Sequence, residues 1–296
     1  MDDGKKVLSN PYLTGTYLPS DPDGRYQLVL KPAANRTSAD SGDLPVPPRE
    51  LWEGYGQDAE TYLASGRRHM AAMQEILRKA GFVADSPGTV LDFGCAAGRM
   101  LRCYPNAGNQ KELWGVDINA GHIGWCQNYL TAHPFRFATV TTLPHLPFED
   151  GYFDLAYAGS VFTHIPPDLA DTWLLELRRV LRKDGLAYMT IQDKTSIQML
   201  LSGSNGRTTS ESELNWEKVG GEPGTSSAGS YWINRFNETI DLGELDYACF
   251  SFTENDALNV FYDANFIAER WSRFMDLVSI TPRAYGGQTA VLLRKR

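Results

Sequence analysis

The stretch that decides the fold is VLDFGCAAGRM, Val90 to Met100. Val90, Leu91 and Phe93 make a short apolar run, the length and composition of a strand buried on both faces. Gly94 and Gly98 then turn the chain. Glycine reaches backbone angles closed to other residues and lets a ligand approach the main chain closely. The N–H groups of such a turn, with the helix start behind it, favour an anion such as a carboxylate. A dinucleotide fingerprint would read G-x-G-x-x-G; here the spacing is G-x-x-x-G, with Ala96 where the middle glycine belongs. That departure argues against close contact with a pyrophosphate. The pattern predicts a strand over 89–93 and a helix over 98–104.

Working outward, the same rhythm repeats. Glu112–Ile118 reads as a strand that carries Asp117 near its end, and Asn119 is placed to cap a helix with Ile123, Cys126, Tyr129 and Leu130. Residues 135–140 and 153–158 are further strands. Pro166, Pro167 and Asp168 start a helix with the face Trp173, Leu174, Leu177, Val180 and Leu181, closed by Gly185. Residues 186–191 form a fifth strand. Strands alternating with helices imply parallel pairing by right-handed crossovers, hence an α/β, doubly wound sheet covered on both faces. An acidic side chain at the end of the second strand, as Asp117 is, suits the two hydroxyls of a ribose.

The flanks are less regular. Residues 1–48 hold seven prolines and little apolar periodicity, which reads as an extended arm, either disordered or, the favoured reading, pinned along the domain by Tyr12, Tyr17 and Tyr26. The main domain is expected over 49–296. It begins with a helical segment expected to act as a lid (about 50–82), in which Tyr62, Leu63, Met70, Met73, Ile76, Leu77 and Ala80 recur at helical spacing before Gly81. Gly66 either splits that helix or lies within it. An insertion is expected over about 194–248; its part 195–230, rich in Ser, Gly, Thr and Asn, is too long for an ordinary connection and is either a lid near the site or a floppy insertion. Thr253 with Asp256 resembles a helix cap, predicting a helix with Leu258, Phe261 and Tyr262. Gly286-Gly287 turns the chain into a last strand, 289–293.

The 296 residues carry 28 Lys+Arg against 36 Asp+Glu, a formal charge of −8. Phosphate backbones need a basic footprint, so nucleic acid is not the expected partner. No apolar run approaches the ~20 residues of a membrane helix, and MDDGKK leads into polar sequence rather than a signal peptide. A cytoplasmic protein without a membrane partner is the expectation. Cys95, Cys103, Cys126 and Cys249 show no CxxC spacing, so neither structural zinc nor a disulfide framework is expected.

Four blocks in order, VLDFGCAAG, GVDIN, LPFEDGYFDLAYAGSVFTHIP and LRRVLRKDGLAYMTI, resemble the class I S-adenosylmethionine-dependent methyltransferases over residues 89–191. The closing QTAVLLRK is similar to that family's seventh strand. The resemblance implies a Rossmann-like seven-stranded sheet in the order 3-2-1-4-5-7-6, with the seventh strand antiparallel. It implies S-adenosylmethionine as cofactor, S-adenosylhomocysteine as product and no metal. Gly94, Cys95, Ala96 and Gly98 would line the methionine part, Asp117 would take the ribose hydroxyls and Ile118 would pack on the adenine. Thr141, Thr142 and Leu143 would lie by the adenine, with Thr142 where the family usually has an acidic residue or Asn. Gly159 and Ser160 would border the sulfonium and the acceptor. Asp154 is expected instead to make sheet-end hydrogen bonds.

Methyl transfer from a sulfonium is an in-line displacement, in which alignment and desolvation supply much of the rate. A base is needed only where the acceptor must lose a proton. Among His164, Tyr157 and Asp193, a histidine suits a general base near neutral pH, so His164 is the candidate, its alternative role being to order the loop. YAGSVF lacks the N/D-P-P-Y signature of nucleic-acid amino-methyltransferases and the acidic residues of a metal-assisted catechol mechanism. SVFTHIP is similar to enzymes acting on sugars, glycan precursors and secondary metabolites. A small-molecule hydroxyl is therefore the leading acceptor, with an amine or carboxylate second. A cofactor-binding module without turnover is the reading from another class, and a nicotinamide dehydrogenase is disfavoured by the loop.

Overall fold

The computed structural model describes residues 16–19, 27–30, 44–105, 107–130, 135–201, 238, 239, 241, 243–252 and 257–296. Strands are β1 (Thr16–Pro19), β2 (Gln27–Leu30), β3 (Thr89–Phe93), β4 (Glu112–Asp117), β5 (Phe135–Thr139), β6 (Phe153–Ala158), β7 (Leu181–Ile191), β8 (Tyr247–Phe252), β9 (Ala257–Tyr262), β10 (Asp276–Tyr285) and β11 (Gln288–Arg294). Helices are α1 (Ala59–Lys79), α2 (Ala120–Tyr129), α3 (Pro167–Val180), α4 (Lys194–Leu201) and α5 (Ala264–Trp271). A seven-stranded sheet runs β5-β4-β3-β6-β7-β11-β10. Counted along the chain within that sheet, this is 3-2-1-4-5-7-6, the order expected. β3, β4 and β5 pair in parallel, while β11 is antiparallel to both β7 and β10. Among the described residues no helix is long and apolar enough to cross a membrane.

The chain packs as two compact units. The first holds residues 1–148 with 153–155. Asp58 caps α1 through a capping box with Thr61, whose backbone N–H donates to the Asp58 carboxylate at 2.8 Å. The buried face of α1 is Tyr62, Met70, Met73, Ile76 and Leu77, each stabilising by about 1.5–3 kcal/mol where it leaves water fully. Gly66 lies inside an unbroken helix; a Cβ there would sit 2.5 Å from the Arg99 carbonyl oxygen. Gly66 therefore permits close approach rather than a break. Gly81, at φ +80, ends the segment as expected. Asn119 caps α2, accepting from the Gly121 N–H at 2.8 Å. The core on that side is Leu51, Ala97, Trp125, Cys126 and Leu130. Asp154 accepts from the Thr89 N–H at 2.7 Å, the sheet-end role expected of it.

The second unit holds residues 149–152 and 156–296. Here α3 buries Ala170, Trp173, Leu174, Leu177 and Val180, while Arg179 pairs with Glu176 at 2.7 Å. β8 and β9 form an antiparallel hairpin whose far strand joins α5 and the aromatic cluster Phe162, Tyr262 and Trp271.

Several expectations are corrected. Residues 98–104 form a turn and a single 3-10 turn at Leu101–Cys103, because Pro105 follows too soon for a helix to pay back its nucleation. Residues 257–262 are β9 rather than helix, and the proposed cap at 253–256 lies outside the described residues. Helix α3 ends at Val180, and Leu181 already belongs to β7, with Asp184 at φ +62 taking the tight position ahead of Gly185. The arm contains a hairpin, β1 with β2; Tyr12 and Tyr26 lie outside the described residues. Of the insertion, α4 and the start of β8 are described, and 202–237 are not.

Candidate active site

In the first unit the glycine loop and Asp117 are tied together. The N–H groups of Gly94 and Cys95 both donate to the Val116 carbonyl, at 2.8 and 3.0 Å. Gly94 stands at φ +79 and Gly98 at φ +74, the left-handed region that favours glycine. Ala96 is held at φ +46, an angle an L-residue adopts at a cost of roughly 1–2 kcal/mol. What holds it there is its N–H, which donates to Asp117 Oδ2 at 2.8 Å. Asp117 Oδ1 in turn accepts from the Asn119 N–H at 2.8 Å. A carboxylate has about four acceptor positions, so two remain for other donors.

Val140 N–H donates to the Asp117 carbonyl at 3.0 Å, so the 141–143 loop leaves the sheet beside Asp117. Thr141 Oγ1 accepts from the Leu143 N–H at 3.2 Å, which shapes that loop, and Thr142 is exposed. Ile118 and Leu143 are 57% and 44% exposed, large apolar side chains left uncovered on these two loops. Cys95 and Cys126 are buried, and burial pushes both thiols up, so they stay protonated and inert as nucleophiles.

Two residues of the loop's surroundings escaped the sequence reading. Arg99, buried, stacks its guanidinium 3.7 Å from the Tyr55 ring centre and reaches Ser65 Oγ at 3.2 Å and His69 Nδ1 at 3.1 Å. That explains His69 as a structural acceptor. His122, also buried, lies with Nε2 3.0 Å from Glu53 Oε1 and Nδ1 4.0 Å from Asp117 Oδ1. Burial draws its pKa down, but the Asp117 and Glu53 carboxylates outweigh that and raise it to about 9. Glu53 and His122 are sixty-nine positions apart, so no spacing rule could have paired them.

In the second unit Ser160 follows β6 at φ +61 and is fixed by a closed polar ring. Its N–H donates to Thr190 Oγ1 at 2.7 Å, Thr190 Oγ1 donates to Gln288 Oε1 at 2.7 Å, and Gln288 Nε2 donates to Ser160 Oγ at 2.9 Å. Gly159 gives room to Tyr285: a Cβ there would come within 2.8 Å of the ring. His164 is exposed, and its Nδ1 lies 2.7 Å from the Leu258 carbonyl oxygen. A carbonyl can only accept, so Nδ1 carries the proton and, in the neutral ring, Nε2 keeps its lone pair.

The other candidate bases are committed elsewhere. Asp193 is buried and accepts from Thr195 N–H at 2.9 Å, Thr195 Oγ1 at 2.6 Å and Thr289 Oγ1 at 2.7 Å. It caps the start of α4. Tyr157 is fully buried within β6.

The family model of a methyltransferase domain matches residues 91–189. Those residues span the glycine loop, Asp117 and most of the parallel sheet. They form a class I S-adenosylmethionine-dependent methyltransferase domain. The chain is similar to two proteins named malonyl-[acyl-carrier protein] O-methyltransferase. That of Salmonella typhimurium is 30% identical over 139 residues, 46% of this chain and 51% of that protein. That of Pseudescherichia vulneris is 28% identical over 142 residues, 48% of this chain and 53% of that protein. The chain thus spans about half the length of the relatives it matches. A solved S-adenosylmethionine-dependent methyltransferase from Clostridium acetobutylicum shares the fold, with a TM-score of 0.50 at 10% identity over 77% of this chain and 91% of that one.

Proposed function

We propose that this protein moves the methyl group of S-adenosylmethionine onto an oxygen of a small-molecule acceptor, a hydroxyl on a sugar, glycan precursor or secondary metabolite. The residues fit the cofactor. Asp117 has acceptor capacity left for the ribose hydroxyls, and Ile118 and Leu143 offer uncovered apolar surface to an adenine ring. Thr142 would meet the adenine amine. Gly94, Cys95, Ala96 and Gly98 would line the methionine part; Gly94 and Ala96 are part-exposed in that turn, while Cys95 and Gly98 are buried. Bound there, S-adenosylmethionine supplies a sulfonium methyl that leaves by in-line displacement. Gly159 and Ser160 would border the sulfonium and the acceptor, with the ring through Thr190 and Gln288 keeping Ser160 from wandering.

The observation that carries an oxygen acceptor is the His164 tautomer. With Nδ1–H given to Leu258, Nε2 is the atom able to take a proton from a hydroxyl as it attacks. The two relatives are named as malonyl O-methyltransferases, which accords with an oxygen acceptor, hydroxyl or carboxylate alike. An amine or carboxylate acceptor would need no such base. We also place the segment before β3, about 50–82, as a lid over the cofactor.

The test is a methyl-release assay over hydroxyl, amine and carboxylate acceptors, alongside calorimetry with S-adenosylmethionine, S-adenosylhomocysteine and NAD. Binding of the two adenosyl ligands with turnover on a hydroxyl supports the proposal. Turnover only on amines or carboxylates overturns the acceptor class. Binding without any turnover points to a cofactor-binding module, and binding of NAD alone to a dehydrogenase.

A further inference from the structure

His122 is the third residue of α2, close to the positive end of the helix dipole, and its side chain is only 4% exposed. Both features oppose a charged ring there. Yet neither ring nitrogen has a hydrogen bond of good geometry, so a neutral imidazole would be buried unsatisfied. The ring's charged neighbours are two carboxylates from different segments. Glu53 approaches Nε2 from the turn before α1, and Asp117 approaches Nδ1 from the end of β4. Glu53 itself stands at φ +50, a strained angle for a non-glycine residue. Two residues further on, Tyr55 lies against the Arg99 guanidinium, and its carbonyl accepts from Ser65 Oγ at 3.3 Å. The turn 52–56 is therefore fastened twice to the surroundings of the glycine loop, once by stacking and once by charge.

We infer that His122 is a positioning residue for the cofactor: as an imidazolium it draws Asp117 and Glu53 onto one cation, setting the ribose-binding carboxylate and closing the 52–56 turn together. The inference rests on the reading that Asp117 holds the ribose. Its consequence is that cofactor affinity follows the proton on His122. While the ring is charged, Asp117 is oriented and the turn is held. When it loses its proton, both carboxylates lose their attraction at once, the strained Glu53 relaxes, and the ligand must order the turn at its own expense. With the ring's pKa raised to about 9, this limb lies on the alkaline side, above the range in which a free histidine titrates.

The experiment is calorimetric titration of the full chain with S-adenosylhomocysteine from about pH 6.5 to 10, for the wild type, His122→Gln, Glu53→Gln and Asp117→Asn. In the wild type, affinity should hold to about pH 8 and then weaken by at least about fivefold as pH passes about 9. His122→Gln should bind at least about fivefold more weakly at neutral pH and show no alkaline limb. Glu53→Gln removes one of the two carboxylates that sustain the charge, so its limb should move to lower pH. A wild-type affinity independent of pH, or a His122→Gln curve parallel to the wild type, overturns the inference. If His122→Gln does not fold, Glu53→Gln decides, since that side chain is 53% exposed; a limb that stays in place overturns the inference. A role in packing alone would lower the melting temperature of His122→Gln and leave the shape of the pH curve unchanged. Asp117→Asn separates the two levels. Unchanged affinity in that variant overturns the ribose reading and the inference with it; weakened affinity beside a pH-independent wild type overturns the inference alone.

Discussion

The Ala96 N–H points at Asp117 Oδ2 across 2.8 Å, joining the glycine turn after β3 to the acid that ends β4. One carboxylate thus orients two loops. The first prediction follows from the strain this bond offsets. Asp117→Ala should release Ala96 from its left-handed angle and remove the ribose acceptor together. Hydrogen bonds to a charged group are worth about 1.5–3 kcal/mol each, so affinity for S-adenosylmethionine should fall by at least about tenfold. Isothermal calorimetry with circular dichroism as a folding control measures it. An unchanged dissociation constant would remove Asp117 from the site.

His164→Ala tests the base. Turnover on a hydroxyl acceptor should drop by about 10²–10⁴, while cofactor affinity stays near wild type. In the wild type the rate on a hydroxyl acceptor should show a rising limb with pH, and that limb should be missing in the variant. A modest rate loss with the limb retained would reduce His164 to a tether for the Leu258 carbonyl.

Asp193→Ala should behave in the opposite way. Its three donors at 2.6–2.9 Å lose a buried charged partner, and the N-terminus of α4 loses its cap. Loss of a cap with buried donors stranded should lower stability by about 2–4 kcal/mol, read from denaturant melts. The pH limb of turnover should persist in whatever fraction folds. Its disappearance would return Asp193 to the list of bases.

Gly66→Ala sets two effects against each other. Alanine in a helix interior gains about 1 kcal/mol over glycine. The new Cβ, however, would stand 2.5 Å from a backbone oxygen, that of Arg99, which has no flexible end to give way. Overpacking of this kind costs about 1–3 kcal/mol, so a net loss of up to about 2 kcal/mol is expected. A stabilised variant would mean that α1 is free to move off the Arg99 loop.

Stability should also fall on the alkaline side. His122 has its pKa raised to about 9 in the fold against about 6.5 when unfolded. A raised pKa contributes its full stabilisation below the unfolded value and loses it as pH climbs through the folded one. Between about pH 6.5 and 9 the loss should be on the order of 2–3 kcal/mol, and it should be absent in His122→Gln. Thermal melts across that range measure it.

The central sheet was readable because its strands are apolar runs cut off by glycine or by a capping residue, as at Phe93-Gly94 and Asp117 to Asn119. Where the local pattern was short, it misled. Leu258, Phe261 and Tyr262 sit at helical spacing, but six residues bounded on both sides fit a strand equally well, and pairing with β8 decides the matter. β10 was missed because Pro282 interrupts it, which an edge strand tolerates. In the site, Asp117 and the glycines were legible through spacing within one βαβ unit. Gln288, Arg99, Glu53 and His122 were not, because their partners lie tens of residues away and only the folded chain brings them together. Asp193 shows the converse: its position after a strand suggested chemistry, while its neighbours Thr195 and Thr289 use up its oxygens.

The placement of β11 between β7 and β10 bears on how the protein is made. A ribosome delivers β7 first and β10 about a hundred residues later; β7 can pair with β6 on one side, yet its other edge and β10 stay unpaired until Gln288–Arg294 has emerged. Until then β7 presents a bare strand edge with the buried sequence Leu186–Ile191, the kind of edge that recruits other chains. Any chain cut short before Gln288 keeps that edge and also lacks the amide that fixes Ser160. Nonsense products and stalled chains of this protein should therefore be sticky as well as inactive, and a pulse-chase with chaperone depletion should find them in the insoluble fraction.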